Sequence, residues 1–214
     1  MPDCKTITAP AEAEFTIQRS RFITHTFPVT SEAEAAAAIR AMKKKYFDAR
    51  HNCSAWRIGA DGALQRSSDD GEPGGTAGAP ILEAITRNGL TDILIVVTRY
   101  FGGIKLGAGG LTRAYSHAAM LGINASPVAI NTLFHCWAVT VSYPLLGTVE
   151  NFIRQQGLRT GEGEYAENVT LHLLLRPAEE DSVLAALTEL TAAGHTAEKT
   201  GETIIPLPWP PGES

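Results

Sequence analysis

Hydrophobic and polar positions along the chain change rhythm several times, and the changes mark its elements. Asp92–Phe101 (DILIVVTRYF) is a β-branched run long enough for a buried central strand. Glu14–Val29 reads as one or two strands, broken near Arg19-Ser20 and ended by Pro28. His51–Ile58 and Ala63–Ser68 read as partners, because Gly59-Ala60-Asp61-Gly62 between them carries the Asp-Gly hairpin signal. Ser31-Glu32-Ala33-Glu34 has the form of a capping box, and the alanine-rich run to about Tyr46 favours helix, with Lys43-Lys44-Lys45 placed to complement its dipole. Thr76 is an expected N-cap for a helix from Ala77 to about Asn88, closed by Gly89. A third helix is expected from about Leu111 to Leu121, and Pro127–Asn131 begins a further extended segment.

The pattern then restarts on a smaller scale. His135–Ser142 is strand-like, Pro144–Gln156 helical, Leu158–Gly163 and Tyr165–Arg176 strand-like, Ala178–Ala193 helical and His195–Ile205 strand-like. The order β-α-β-β-α-β is the ferredoxin-like arrangement. The first half, with mixed strands and helices that follow glycine loops, is α+β. The expected division is residues 1–134, residues 135–206 and a Pro-rich tail at 207–214, which should not pair in a sheet because proline lacks the N–H that a ladder needs.

Composition narrows the class. At 44% hydrophobic and 19% charged, the 214 residues are those of an ordinary globular protein. The net charge of −5 is unevenly spread. Residues 1–134 hold 14 Lys+Arg against 12 Asp+Glu, a net of +2, and residues 135–214 hold 4 against 11, a net of −7. An anionic partner should therefore meet the first half. Three cysteines at wide spacing, with no CxxC, argue against a disulfide framework and a zinc site, and point to a reducing, cytoplasmic setting. No apolar run approaches the ~20 residues that span a bilayer, so no membrane partner is expected.

Two loops carry the candidate chemistry. In the first, Ser67–Thr76, three carboxylates (Asp69, Asp70 and Glu72) lie within four residues. They could hold Mg²⁺ or meet a basic partner, although composition favours a solvated turn in which Asp side chains accept local backbone N–H groups. No cofactor is firmly implied. The second, Thr98–Arg113, holds five glycines in nine residues between a buried strand and a helix start. The bare N–H groups of Gly102, Gly103, Gly107, Gly109 and Gly110 suit an anion. Arg99, Lys105 and Arg113 could add charge, and Tyr100 and Phe101 could stack on a base. The loop is neither a Walker A nor a GxGxxG motif: Leu106 follows Lys105, and Thr112 stands where a third glycine would be. HExxH and GxSxG are also absent. His51 and Cys53 share a strand face, but a lone Cys of this kind is more often structural.

Four linked segments resemble the YigZ/IMPACT family: His51–Gly59 (HNCSAWRIG), Ser68–Gly78 (SDDGEPGGTAG), Val97–Gly107 (VTRYFGGIKLG) and Gly109–Tyr115 (GGLTRAY). The resemblance covers about residues 15–130, and the second half looks like the smaller domain that bacterial members carry. It implies a first domain like the second domain of ribosomal protein S-five and a second like the ferredoxin-like domain V of elongation factor G. Both of those relatives touch ribosomal RNA, and eukaryotic IMPACT proteins restrain a translation-controlling kinase by competing for its activator. The reading that follows is a regulator of translation, a binding module for RNA, the ribosome or a translation-associated protein. The alternatives are a metal-assisted hydrolase on a phosphate-bearing or peptide substrate, for which no nucleophile–base pair can be named, and a pure protein-interaction adaptor.

Overall fold

The computed structural model describes residues 3–209. In chain order its elements are β1 (Cys4–Ile7), β2 (Ala11–Ile17), β3 (Ser20–Pro28), α1 (Glu32–Lys45), β4 (His51–Ile58), β5 (Leu64–Ser68), α2 (Gly78–Arg87), β6 (Ile93–Tyr100), α3 (Gly107–Ala125) and β7 (Val128–Val141). They are followed by α4 (Tyr143–Gln155), β8 (Arg159–Thr160), β9 (Glu164–Tyr165), β10 (Val169–Leu175), α5 (Glu180–Leu190) and β11 (His195–Pro208). The chain divides into two compact units, residues 1–131 with residues from Pro206 onward, and residues 132–205.

The first unit is built on an antiparallel sheet ordered β2-β3-β6-β4-β5. β6, the DILIVVTRYF run, is its middle strand, which is why that run is buried on both faces. The pleat sends alternate residues to opposite sides. Ile93, Ile95 and Val97 of β6, with Cys53 and Ala55 of β4, join the core under α2 and α3. Leu94 and Val96, with Trp56 and Ile58, join a second core that includes Ala35, Ile39 and Met42 of α1. This two-sided strand positions two separate surfaces, one at each face of β4.

Local sequence explains most boundaries. Ser31 Oγ accepts the Glu34 N–H at the start of α1, and the Glu34 carboxylate accepts from Thr30 N at 2.7 Å. The reciprocal cap thus closes one residue earlier than a standard capping box. Gln18 and Arg19 have positive φ, forming the two-residue turn between β2 and β3. Gly102 has to be glycine, since a Cβ there would lie 2.0 Å from the carbonyl carbon of Arg19.

Several expectations need correction. Thr76 is not the cap of α2; its hydroxyl donates to Pro73 O at 2.6 Å, and the helix begins at Gly78. α3 begins at Gly107, four residues earlier than expected, so Gly107, Gly109 and Gly110 form its first turn rather than a loop. β1 has no counterpart among the expected elements; it pairs with the opening residues of β7, from Cys4 opposite Asn131 to Ile7 opposite Val128. β11 does not stop at Ile205. It runs to Pro208, it pairs with β7, and Trp209 N donates to Val128 O at 3.0 Å. Pro206 and Pro208 are two residues apart, so both missing N–H groups fall on the same, unpaired edge of the strand. The rest of the tail lies outside the described residues.

In the second unit β7, β10 and β8 are neighbours, with β10 antiparallel to both, and β11 flanks β7 on its other side. Together with α4 and α5 this is the ferredoxin-like order. Its core joins Val139 and Val141, Leu171, Leu173 and Leu175, and Val149, Val183 and Leu187. The class is α+β, as the sequence pattern implies.

Candidate functional site

The two candidate loops meet where β6 ends. Arg99, next in the register that buries Ile95 and Val97, points toward α2 and α3 and is 5% exposed. A buried guanidinium needs a counter-charge. Glu72 of the acidic loop, 8% exposed, supplies it: Arg99 Nη1 donates to Glu72 Oε1 at 2.7 Å. Tyr115 of α3 donates its hydroxyl to the same oxygen at 2.9 Å, and Cys53 Sγ lies 3.3 Å from the Tyr115 oxygen and 3.0 Å from Asp69 O, with one S–H to give to one of the two. The Arg99 guanidinium sits 5.6 Å from the Phe22 ring and 5.5 Å from the Phe101 ring. This buried chain of polar groups fastens both loops to one strand end.

Burial pushes the Cys53 thiol up to about 12, with the carboxylates of Glu72, Asp70 and Asp69 adding to the rise against the Tyr115 hydrogen bond. Burial also drives the Tyr115 phenol up, reinforced by Cys53 and Glu72. Neither is a nucleophile near neutral pH, so Cys53 is a packing residue.

The acidic loop's three carboxylates diverge. Asp69 accepts from Gly75 N at 2.8 Å with one oxygen and from Ala77 N and Gly78 N at 3.0 and 2.8 Å with the other, so it caps α2 from outside the helix. Asp70, at φ 43°, accepts from Asn52 N at 2.7 Å and pairs with Lys43 on the opposite side of the sheet. Glu72 holds Arg99. They do not converge on a common point where Mg²⁺ could sit, and among the described residues no group of three or more His, Cys, Asp or Glu could hold a metal ion.

The glycine loop also parts company with its sequence reading. The Arg99 charge is neutralised by Glu72. Tyr100 faces the other way, and its hydroxyl donates to Asp48 at 2.8 Å. Arg113 and Gly110 line a neighbouring cleft with Phe15 and His117. Phe101, Lys105 and Gly107 line a cleft of about 420 Å³ together with Arg50, His51 and Leu106, and Arg99 and Glu72 lie in its wall. Gly102 and Gly103 connect β6 to it, and Gly109 lies within the first turn of α3.

This cleft opens at the start of α3. The residue before that helix, Leu106, offers no side-chain cap, and no acidic residue stands in the first turn. The first N–H groups of the helix therefore lack side-chain acceptors. Lys105 is exposed and, like Arg50, forms no ion pair among the described residues. His51 Nδ1 lies 2.9 Å from Asp70 O. A carbonyl only accepts, so Nδ1 carries the proton and the neutral ring has its lone pair on Nε2. Phe101 is 47% exposed beside these groups. The sequence did not single out Arg50 for this cleft, and the pointer it did hold was His51, one residue on at the start of β4.

Known proteins place the chain. A family model for the Impact N-terminal domain matches residues 18–123, and one for a domain of unknown function, DUF1949, matches residues 139–193. The chain is 42% identical to the IMPACT family member YvyE of Bacillus subtilis (strain 168), covering 92% of this chain and 90% of that one. It is 32% identical to the IMPACT family member YigZ of Escherichia coli (strain K12), covering 86% and 91%. A crystal structure of a hypothetical protein, 30% identical, superposes with a TM-score of 0.61 over 93% of this chain and 98% of that chain. With the motifs of β4, β6 and α3 lying inside the first matched region and a ferredoxin-like unit containing the second, the chain belongs to the IMPACT family.

Proposed function

We propose that the protein acts in the control of translation as a binding module for RNA, and that a backbone phosphate of that RNA sits at the start of α3. The observation that carries this reading is the cleft itself. An uncapped helix N-terminus, two cations that form no ion pair among the described residues (Lys105 and Arg50), the ring of His51 and an exposed phenyl face meet in a space of about 420 Å³. Backbone N–H groups and the helix dipole favour a phosphate, the cations add charge, and Phe101 supplies a surface on which a base can stack. The setting in translation and in the cytoplasm, and the choice of RNA or ribosome as partner, rest on the family resemblance. Along the described residues no helix is long and apolar enough to cross a membrane.

For the hydrolase alternative no nucleophile–base pair can be named, and the three carboxylates of the acidic loop turn to three different partners. The test is a titration of the purified protein against labelled structured RNA and ribosomes at low and physiological salt. Lys105→Ala should weaken binding and reduce the salt slope by about one counterion. Binding indifferent to Lys105→Ala and Arg50→Ala would remove the cleft from the account, and co-purification of a defined protein partner would then favour the adaptor.

A further inference from the structure

The opposite face of β4 carries a second cleft, distinct from the one at α3. It is about 410 Å³ and lies between α1 and the β4–β5 hairpin. Ala36, Ile39, Arg40 and Lys43 of α1 recur at helical spacing and turn one face toward it. Below them Asn52, Ser54 and Trp56 lie two residues apart on β4, with Ser68 and Arg66 directly across from Ser54 and Trp56 on β5.

The floor of this cleft holds polar side chains that make no hydrogen bond of their own as donors among the described residues. Asn52 is 5% exposed; its Oδ1 accepts from Thr98 at 2.7 Å, while its amide N–H groups have no acceptor among the described residues. Ser54 is 3% exposed, and its hydroxyl has no partner among them either. What little area these two residues keep opens onto the cleft, so their donors are available there to a ligand or to water. At the mouth, Lys43 is paired with Asp70, but Arg40 and Arg66 form no ion pair among the described residues. Two free guanidinium groups match a dianion, and guanidinium recognises phosphate through paired N–H donors. Glu32 at the far end of the same helix face is the one acidic lining residue.

We infer that this cleft binds a small organic phosphate. Its phosphate sits with Arg40 and Arg66, its organic body lies against Trp56 and Ile39, and Asn52 and Ser54 donate hydrogen bonds to it. The volume is that of a small-molecule site. The site does not depend on the cleft at α3, whose residues His51 and Arg99 belong to the other face of the sheet.

The test is a set of ¹H–¹⁵N correlation spectra of the full chain titrated with inorganic phosphate, ribose 5-phosphate, adenosine 5′-monophosphate and a short RNA. The expected result is saturable shifts at the Trp56 indole N–H and the Asn52 side-chain amide with at least one sugar phosphate, tighter than with inorganic phosphate. Arg66→Ala, on an exposed edge strand, should weaken that binding about tenfold or more, and Lys105→Ala should leave it unchanged. The proposal is overturned if no small probe shifts these resonances at millimolar concentration. It is equally overturned if inorganic phosphate binds as well as any ester, if the RNA alone causes the shifts, or if the shifts survive both Arg66→Ala and Arg40→Ala. Loss of RNA binding at the α3 cleft would leave this result untouched, so the two readings fail separately.

Discussion

Arg99 shows how far a residue's environment can change its role. By type and position it reads as a contact for an anion, yet it is 5% exposed and held by Glu72 at 2.7 Å. Removing one partner of such a pair leaves the other charge buried and uncompensated, which costs about 3–5 kcal/mol. Glu72→Gln should therefore lower the free energy of unfolding by about that amount in a urea titration. Tyr115→Phe, which removes one hydrogen bond to the same oxygen, should cost only about 1 kcal/mol. Equal effects from the two substitutions would mean that the Glu72–Arg99 pair is not what holds the strand end. The acidic residues of this loop were legible as a cluster. Their separate duties were not, because three carboxylates within four residues look alike until their partners, 6 to 43 residues away, are known.

Elements, next, depend on groups that lie beyond their own ends. α2 is capped by Asp69, eight and nine residues before the N–H groups it satisfies. Burial alone would raise the Asp69 carboxyl, but the N–H donors of Gly75, Gly78 and Ala77 prevail and hold it below its ordinary value. Because the folded-state value is depressed, its contribution to stability is fully present above the ordinary value, about pH 4, and is lost as pH falls through the folded one. The difference in melting temperature between the wild type and Asp69→Asn should accordingly be large at pH 7 and shrink toward pH 3. A gap that does not narrow at all as pH falls below about 4 would show that the ionised carboxylate is not the cap. The early start of α3 has a related cause. Glycine density argued for a loop, but Leu111, Ala114 and Tyr115 are buried against the sheet and anchor a helix that extends back through Gly107. Tertiary packing overrides weak local propensity there.

For the molecule as a whole, two compact units share strands along the chain, since β7 and β11 each begin in one unit and end in the other. In the first unit the segment Pro206–Trp209 returns to the start of β7, where Trp209 N donates to Val128 O and Lys5 lies 5.3 Å from the Trp209 ring centroid. A chain ended after Ile205 should lose this strand end and show faster proteolysis near Cys4–Ile7 and Val128. Unchanged cleavage there would mean that the segment adds nothing to the first unit.

The periodic elements, the ferredoxin-like order of the second half, the central position of β6 and the family were legible in the chain alone. Each of these rests on local patterning or on long linked motifs, and both are properties of neighbouring residues. The folded arrangement set which loop residues face one another. It paired Glu72 with Arg99, turned Tyr100 away toward Asp48, sent Arg113 to a neighbouring cleft and brought Arg50 and His51 beside Lys105. It also exposed the cleft under α1, whose floor alternates residue by residue with the opposite core. The physical reason is that a strand's pleat fixes which side each residue faces, while what waits on that side comes from helices and loops tens of residues distant.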